Sequence, residues 1–316
     1  MRYAPLLVWL GTTLGFIACD TGSSITEASG CGSGLESCGT HCVPQGTCIG
    51  NSGGATGSGG ATVDTSPITS TACTDTASTS GTIAQQYGGI TLGANGGKQY
   101  YLSSNWWGKY NGQTVAYSGL SFTIHNPNGV ASSDNNPIGY PTMYIGSYSG
   151  HDNAGSNLPK QVSAIASVPT VFSTNAAEGA RDQYNAAYDV WFTPTGAKLG
   201  ASDYAPPAGG AYLMVWMFKP TLRQPRGSVR QATKTISGLA GTWNVWVDAS
   251  NPPCISYVAA NPINGLDFDL NAFIQDAVTS KYGITSSQYL SVVFAGFEIW
   301  SGGEGLKVNN FCAKVN

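Results

Sequence analysis

Two acidic side chains, Asp189 and Glu298, stand in a chain poor in charge, each within an alternating run that sets it beside large aromatic rings. Side chains on a strand point to opposite faces at period two. In AAYDVWF (186–192), Tyr188, Val190 and Phe192 share one face, leaving Asp189 and Trp191 on the other. In VVFAGFEIW (292–300), Val293, Ala295, Phe297 and Ile299 face one way, and Phe294, Gly296, Glu298 and Trp300 the other. AYLMVWMF (211–218) sets Ala211, Leu213, Val215 and Met217 against Tyr212, Met214, Trp216 and Phe218. TWNVWVD (242–248) sets Trp243, Val245 and Val247 against Asn244, Trp246 and Asp248. One face of each run suits a core; the other is aromatic and carries carboxylates. Flat rings stack on the C–H faces of pyranoses, and Asn, Asp and Glu hydrogen-bond to hydroxyls. A carboxyl pair on such a face is equipped for general acid and base work on a glycosidic bond. Any one of these tryptophans could instead pack beneath a loop, and either carboxylate could be structural. Their joint placement weighs against both, because buried carboxylates seldom sit among aromatics without a partner.

The elements that must position these groups are short. From about Ile83 the chain is a series of β-type runs between Gly, Pro and Asn turns, among them TMYIGSY, CISYVA and KVNNFCAKV. Many strands at short spacing with little helix indicate a sandwich or jelly roll. One helix is expected in DFDLNAFIQDAVTSKYG, where Leu270, Phe273, Ile274, Ala277 and Val278 keep helical spacing and Gly283 follows as a stop. DFDLN is not a calcium loop, since Ala272 replaces the turn glycine and no glutamate closes it.

Only 10% of the 316 residues are charged, and the net charge is −3, which leaves no basic footprint for nucleic acid and no polybasic membrane patch. Residues 1–19 have a short basic start, an apolar run too short to span a bilayer comfortably, and a lipobox-like FIAC, so export with lipidation at Cys19 is expected. The alternative is an ordinary cleaved signal. Residues 20–49 carry Cys31, Cys38, Cys42 and Cys48, which in an exported chain suggest two disulfides with three possible connectivities. His41 beside Cys42 does not match a standard zinc spacing, so no metal site is expected. Residues 50–72 form a Gly/Ser/Thr linker, and the large domain is residues 73–316. Of the remaining cysteines, Cys73 and Cys312 are expected to bridge the two ends of that domain, with Cys254 a buried thiol. With His41, His125 and His151 the only histidines and no Gly-x-Ser-x-Gly elbow, no serine or cysteine triad suggests itself.

Four stretches in order resemble glycoside hydrolase family 12. SNWWG (104–108) resembles that family's Asn-Asn-Leu-Trp-Gly, and AAYDVW its Ala-Tyr-Asp segment. YLMVWM resembles Glu-Leu-Met-Ile-Trp-Leu, and GFEIWSGGEGL resembles Gly-Thr-Glu-Pro-Phe-Thr-Gly. The resemblance runs from roughly Ile83 to Val315. It implies an all-β, concanavalin-like β-jelly-roll sandwich with one helix, here preceded by the small disulfide-rich segment and linker. It implies an endo-β-1,4-glucanase-like glycoside hydrolase acting, without a cofactor, on cellulose, mixed-linkage glucan or xyloglucan. The chain would work as an exported monomer, in the bacterial cell envelope or outside the cell, touching membrane only through a lipid anchor.

Position by position, Glu298 falls on the family's general acid/base and Asp189 on the aspartate that supports the nucleophile. Asn105, Trp107, Met214 and Trp216 fall on glucan-binding positions, and alternation adds Trp300. The nucleophilic glutamate falls on Tyr212, a neutral phenol with an ordinary pKa near 10. Three readings stand. Asp189 could activate Tyr212 as nucleophile, as sialidases use a tyrosine. Asp189 could instead act as base on a water while Glu298 protonates the leaving group. Or the domain is a cell-surface glycan-binding module that has lost its chemistry, since loss of a nucleophile costs orders of magnitude in rate.

Overall fold

The alternating runs are realised as two facing sheets. The computed structural model describes residues 35–38, 41–44, 73–108, 112–127, 136–176 and 183–316. The export signal with Cys19, the linker, and the side chains of Cys31, Cys38, Cys42 and Cys48 lie outside the described residues. In the unit spanning residues 23–62, β1 (Leu35–Cys38) and β2 (His41–Pro44) form an antiparallel hairpin with Cys38 opposite His41.

In the large domain, one sheet contains β3 (Ser80–Ile83), β6 (Thr114–Ser118), β7 (Ser121–His125), β11 (Pro169–Thr174), β18 (Gly265–Asp269) and β21 (Lys307–Ala313). Their spatial order is β18-β11-β21-β7-β6-β3. The other sheet contains β4 (Gly89–Gly93), β5 (Gln99–Ser103), β8 (Thr142–Tyr148), β13 (Ala186–Thr193), β14 (Ala211–Phe218), β15 (Ser228–Lys234), β16 (Trp243–Asp248), β17 (Cys254–Ala259) and β19 (Tyr289–Gly296). Its order is β15-β16-β17-β14-β13-β19-β8-β5-β4, with the short β9 (His151–Asp152) on β8 and β10 (Lys160–Gln161) on β19. A separate pair joins β12 (Gln183–Tyr184) to β20 (Ile299–Ser301). This is the expected all-β jelly roll.

The core lies between the sheets. Tyr188, Val190 and Phe192 of β13, Leu213, Val215 and Met217 of β14, and Val293 and Ala295 of β19 point into it. From the other sheet they meet Phe122, Phe172, Val308 and Phe311. Burying an aromatic or aliphatic side chain of this kind stabilises the fold by about 1.5–3 kcal/mol. The helix α1 (Asn271–Thr279) covers one end, its Phe273 ring 4.9 Å from both Trp243 and Tyr257. Asp269 accepts the Val168 and Asn271 amides at 2.6 and 2.9 Å, so this carboxylate serves the helix entrance.

The Cys73–Cys312 disulfide is present and ties together residues 239 apart in sequence. Beside it Asp75 pairs with Lys98 at 2.6 Å and accepts the Tyr100 phenol. The expectation for Cys254 is corrected: it is disulfide-bonded, not a buried thiol. No helix among the described residues is long and apolar enough to cross a membrane.

One side chain is turned against its strand's alternation. Phe218 joins the core, where it meets Tyr184 at 5.4 Å, instead of following Tyr212, Met214 and Trp216. The cause is a bulge at the start of β13: Ala187 opposes Trp216 but Ala186 opposes Phe218, so Met217 has no partner. A bulge of one residue reverses the facing of the side chains beyond it.

Candidate active site

Pairing registers place one continuous row across the outward face of the larger sheet. Tyr101 of β5 opposes Tyr144 of β8, and Tyr144 opposes Phe294 of β19. Phe294 opposes Asp189 of β13, and Asp189 opposes Met214 of β14. Met214 opposes Ser256 of β17, Ser256 opposes Trp246 of β16, and Trp246 opposes Val229 of β15. Paired residues share a face, and strands lie about 4.8 Å apart, so eight strands make a row roughly 34 Å long. Asp189 sits near its middle, and partly exposed Tyr101 and Trp246 stand towards its ends. The neighbouring row holds Trp191, Tyr212, Cys254 and Asp248.

Most of this face is an aromatic cluster distinct from the core. Trp191 contacts Tyr148, Tyr212 and Phe294 with ring centroids 5.2–5.6 Å apart. Trp216 lies 6.4 Å from Trp300, and its indole N–H points at the Met214 sulfur at 3.5 Å. Arg223 lies over the Trp300 ring, 5.6 Å from its centroid. Trp216, Trp300 and Met214 are fully buried, whereas Trp107 is partly exposed.

Glu298 lies just beyond β19 and is itself fully buried. Asn185, the residue before β13, holds it at three points. The Asn185 backbone N–H donates to Glu298 O at 2.9 Å, and the Glu298 N–H donates to Asn185 Oδ1 at 2.9 Å. The Asn185 amide also donates to Glu298 Oε2. Gly296, two residues earlier on the same face, allows the start of β8 to approach closely, because a Cβ there would collide with Pro141 O.

Asp189 is buried too, and its Oδ1 has no hydrogen-bond partner among the described residues. Nor does the indole Nε1 of Trp191, although that N–H lies close enough to temper the carboxyl's pKa. Burial dominates and pushes the Asp189 pKa up to about 7. Burial likewise pushes the Tyr212 phenol well above its ordinary range, and the Asp189 charge adds to this while Arg226 opposes it. Arg226 is itself paired with Asp248 at 2.5 Å.

Tyr140 stands where both carboxyls are felt. Its phenol donates to Ala187 O at 3.0 Å, and burial, then Asp189, then Glu298 raise its pKa. The Asn105 amide donates to Tyr140 O at 3.2 Å, and the Tyr140 N–H donates to Asn105 O at 2.9 Å. Asn105 adopts φ +41°, a left-handed conformation that asparagine tolerates better than most residues. Trp107 is fixed by its N–H on Ile138 O at 2.9 Å, and residues 138–139 pair in turn with Ile299, next to Glu298. Asn105 and Trp107 are thereby laced to the Glu298 backbone. Asn185, Tyr140 and Tyr101 carry no motif of their own and escape a reading of the sequence.

The family model for Glycosyl hydrolase family 12 matches residues 98–316. The chain belongs to glycosyl hydrolase family 12. Among family 12 relatives, the "Probable cellulase Cel12b" of Mycobacterium tuberculosis is 35% identical over 164 residues, covering 51% of this chain and 99% of that protein. "Endoglucanase A" of Aspergillus kawachii is 30% identical over 178 residues, covering 54% and 70%. Among solved structures, endoglucanase cel12A from Rhodothermus marinus superposes with a TM-score of 0.65 at 30% identity, covering 74% of this chain and 98% of that one. The matched region of this family 12 chain contains Asn105, Trp107, Asp189, Tyr212, Met214, Trp216, Glu298 and Trp300.

Proposed function

We propose that this family 12 chain hydrolyses β-1,4-linked glucan, with Glu298 protonating the departing glycosidic oxygen. The row from Tyr101 to Val229 carries this reading. It is long enough for several sugar rings, crosses eight strands, and has a carboxyl near its centre. Such a surface suits an extended polymer attacked within the chain better than a small glycoside held at one end. The relatives described as a cellulase and endoglucanases support glucan as the polymer. The Asn185 clamp supports Glu298 as the acid, since a general acid needs a fixed direction as well as a proton, and contributes about 10²–10⁴-fold to rate. Asp189 and Tyr212 are the groups on this face that can complete the reaction. Of the five glucan-binding candidates, partly exposed Trp107 would touch the polymer, while buried Asn105, Met214, Trp216 and Trp300 would support that surface from beneath.

The apolar, small-residue-ended run at residues 1–19 supports export, and FIAC supports a lipid anchor at Cys19 on the cell envelope. A second reading is favoured by Tyr212: a phenol where family resemblance expects a carboxylate suits a glycan-binding module that has lost turnover. Reducing-sugar release from a panel of soluble β-glucans separates the two. Release by the full chain, lost in Glu298→Gln while the variant still binds the polymer, is the expected result. Retention of polymer without release by either protein would establish the binding module.

A further inference from the structure

Resting on the reading of this face as a glucan cleft, we propose that Tyr101 and His151 form an outer sugar-binding platform at the β5 end of the row. There they stack on a pyranose of the same polymer, a few units away from the centre of the cleft. The two rings are within 27° of parallel, with centroids 4.0 Å apart, and Tyr101 also leans on Tyr144 at 5.3 Å. Tyr101 is half-buried and His151 exposed, whereas Tyr144 and Phe294, which stand between Tyr101 and Asp189 in the row, are buried. Tyr101 is therefore the first ring of the row on that side of Asp189 with a surface that a polymer can reach. It stands three strands from Asp189, through β19 and β8 to β5, which is about 14 Å.

Both rings are held before any ligand arrives. His151 opposes Tyr148 across β8 and β9, and Asp152 beside it pairs with Lys198 of the loop between β13 and β14. The Gln99 N–H donates to Ala154 O at 2.9 Å, and the Ala154 N–H donates to Gln99 Oε1 at 3.1 Å, which ties the chain after β9 to the start of β5. Gly89 of β4 completes the seat. Tyr101 opposes Thr91, so Gly89 is diagonal to it, and a Cβ at Gly89 would collide with the Tyr101 ring. Glycine there lets the ring lie across the neighbouring strand.

The chemistry of the pair suits a sugar. A ring's negative face attracts the polarised C–H bonds of a pyranose, and burial of both apolar faces adds to this. Neither the Tyr101 hydroxyl nor the His151 imidazole hydrogen-bonds to another described residue, so both can meet sugar hydroxyls. The platform continues the row of the cleft, which makes its occupant a more distant unit of the chain already bound there. It rewards length: an oligosaccharide too short to reach β5 from the centre gains nothing from it.

The test is calorimetric affinity of the full chain, carrying Glu298→Gln to prevent turnover, for β-1,4-gluco-oligosaccharides of increasing length. Affinity should rise with length until the oligosaccharide reaches β5. His151→Ala should remove that last increment, about three- to tenfold in Kd. Gly89→Ala keeps both rings but displaces Tyr101, and should remove the same increment; His151→Phe, which keeps a flat ring, should restore most of it. An increment intact in both His151→Ala and Gly89→Ala would overturn the platform, as would no affinity at any length. A wild-type chain that binds with this length dependence yet releases no sugar would overturn the hydrolytic reading and leave the platform standing.

Discussion

Asn185 and Glu298, 113 residues apart, are joined by reciprocal backbone and side-chain hydrogen bonds that leave Glu298 one orientation relative to β13. The clamp links an irregular residue before one strand to an irregular residue after its neighbour, so the side chain is aimed by both strand ends together.

Asn185→Ala removes the amide that donates to Glu298 Oε2 and the acceptor of the Glu298 N–H. Leaving a buried donor or acceptor unpaired costs about 1–3 kcal/mol. Steady-state kinetics on a soluble glucan should show kcat reduced at least tenfold with KM nearly constant, because proton delivery loses its direction while the stacking surface is untouched. A large rise in KM with kcat preserved would make Asn185 a substrate contact instead.

Asp189 should make stability depend on pH. Its pKa in the folded chain, about 7, exceeds the unfolded aspartate value, so the folded state holds a proton that the unfolded state has released. Stability is fully present below about pH 4 and is lost as pH rises through 7, by on the order of 4 kcal/mol in total. Tyr140, Tyr148 and Tyr212 face this carboxyl and add no compensating positive charge. Asp189→Asn, an isostere of the protonated form, should match the wild type in urea midpoint only below about pH 4, at pH 3, and exceed it at pH 8. Equal midpoints at both values would show that the carboxyl is better solvated than its burial implies.

Tyr212→Phe keeps the ring that meets Trp191 edge-on at 5.6 Å and removes only the hydroxyl. Because burial and the Asp189 charge both oppose the phenolate, turnover should fall less than about tenfold; each tenfold corresponds to 1.36 kcal/mol of barrier. Abolition of turnover in this variant would restore the tyrosine nucleophile.

Trp107 is partly exposed; its indole N–H donates to Pro137 O at 2.5 Å, but its backbone N–H on Ile138 O also holds the segment, so removing the ring leaves that anchor in place. Trp107→Ala should weaken retention on a β-glucan affinity gel several-fold, since an aromatic stacking contact contributes about 0.5–1.5 kcal/mol. The melting temperature should shift little. A large drop in melting temperature with unchanged retention would assign the ring to packing.

The sequence by itself determined which side chains share a face. Alternation at period two is a local property of the chain, so Asp189, Tyr212, Met214 and Trp216 were legible on the outward face and Tyr188, Leu213 and Val293 on the inner one. The helix at 271–279 and the extents of β8, β14 and β17 were legible for the same reason. Tertiary structure alone decided which faces line up with which. The row from Tyr101 to Val229 includes four strand pairs that are not neighbours in sequence, among them the parallel pair β14 and β17, and registers of that kind have no local signature. Phe218 was turned into the core by a bulge whose other half lies on β13, and Cys254 was claimed by a disulfide. Asn185 and Tyr140 gained their roles only where the chain folds back on Glu298 and Ala187. Period two tells a residue which side it is on; only pairing between distant segments tells it what stands opposite.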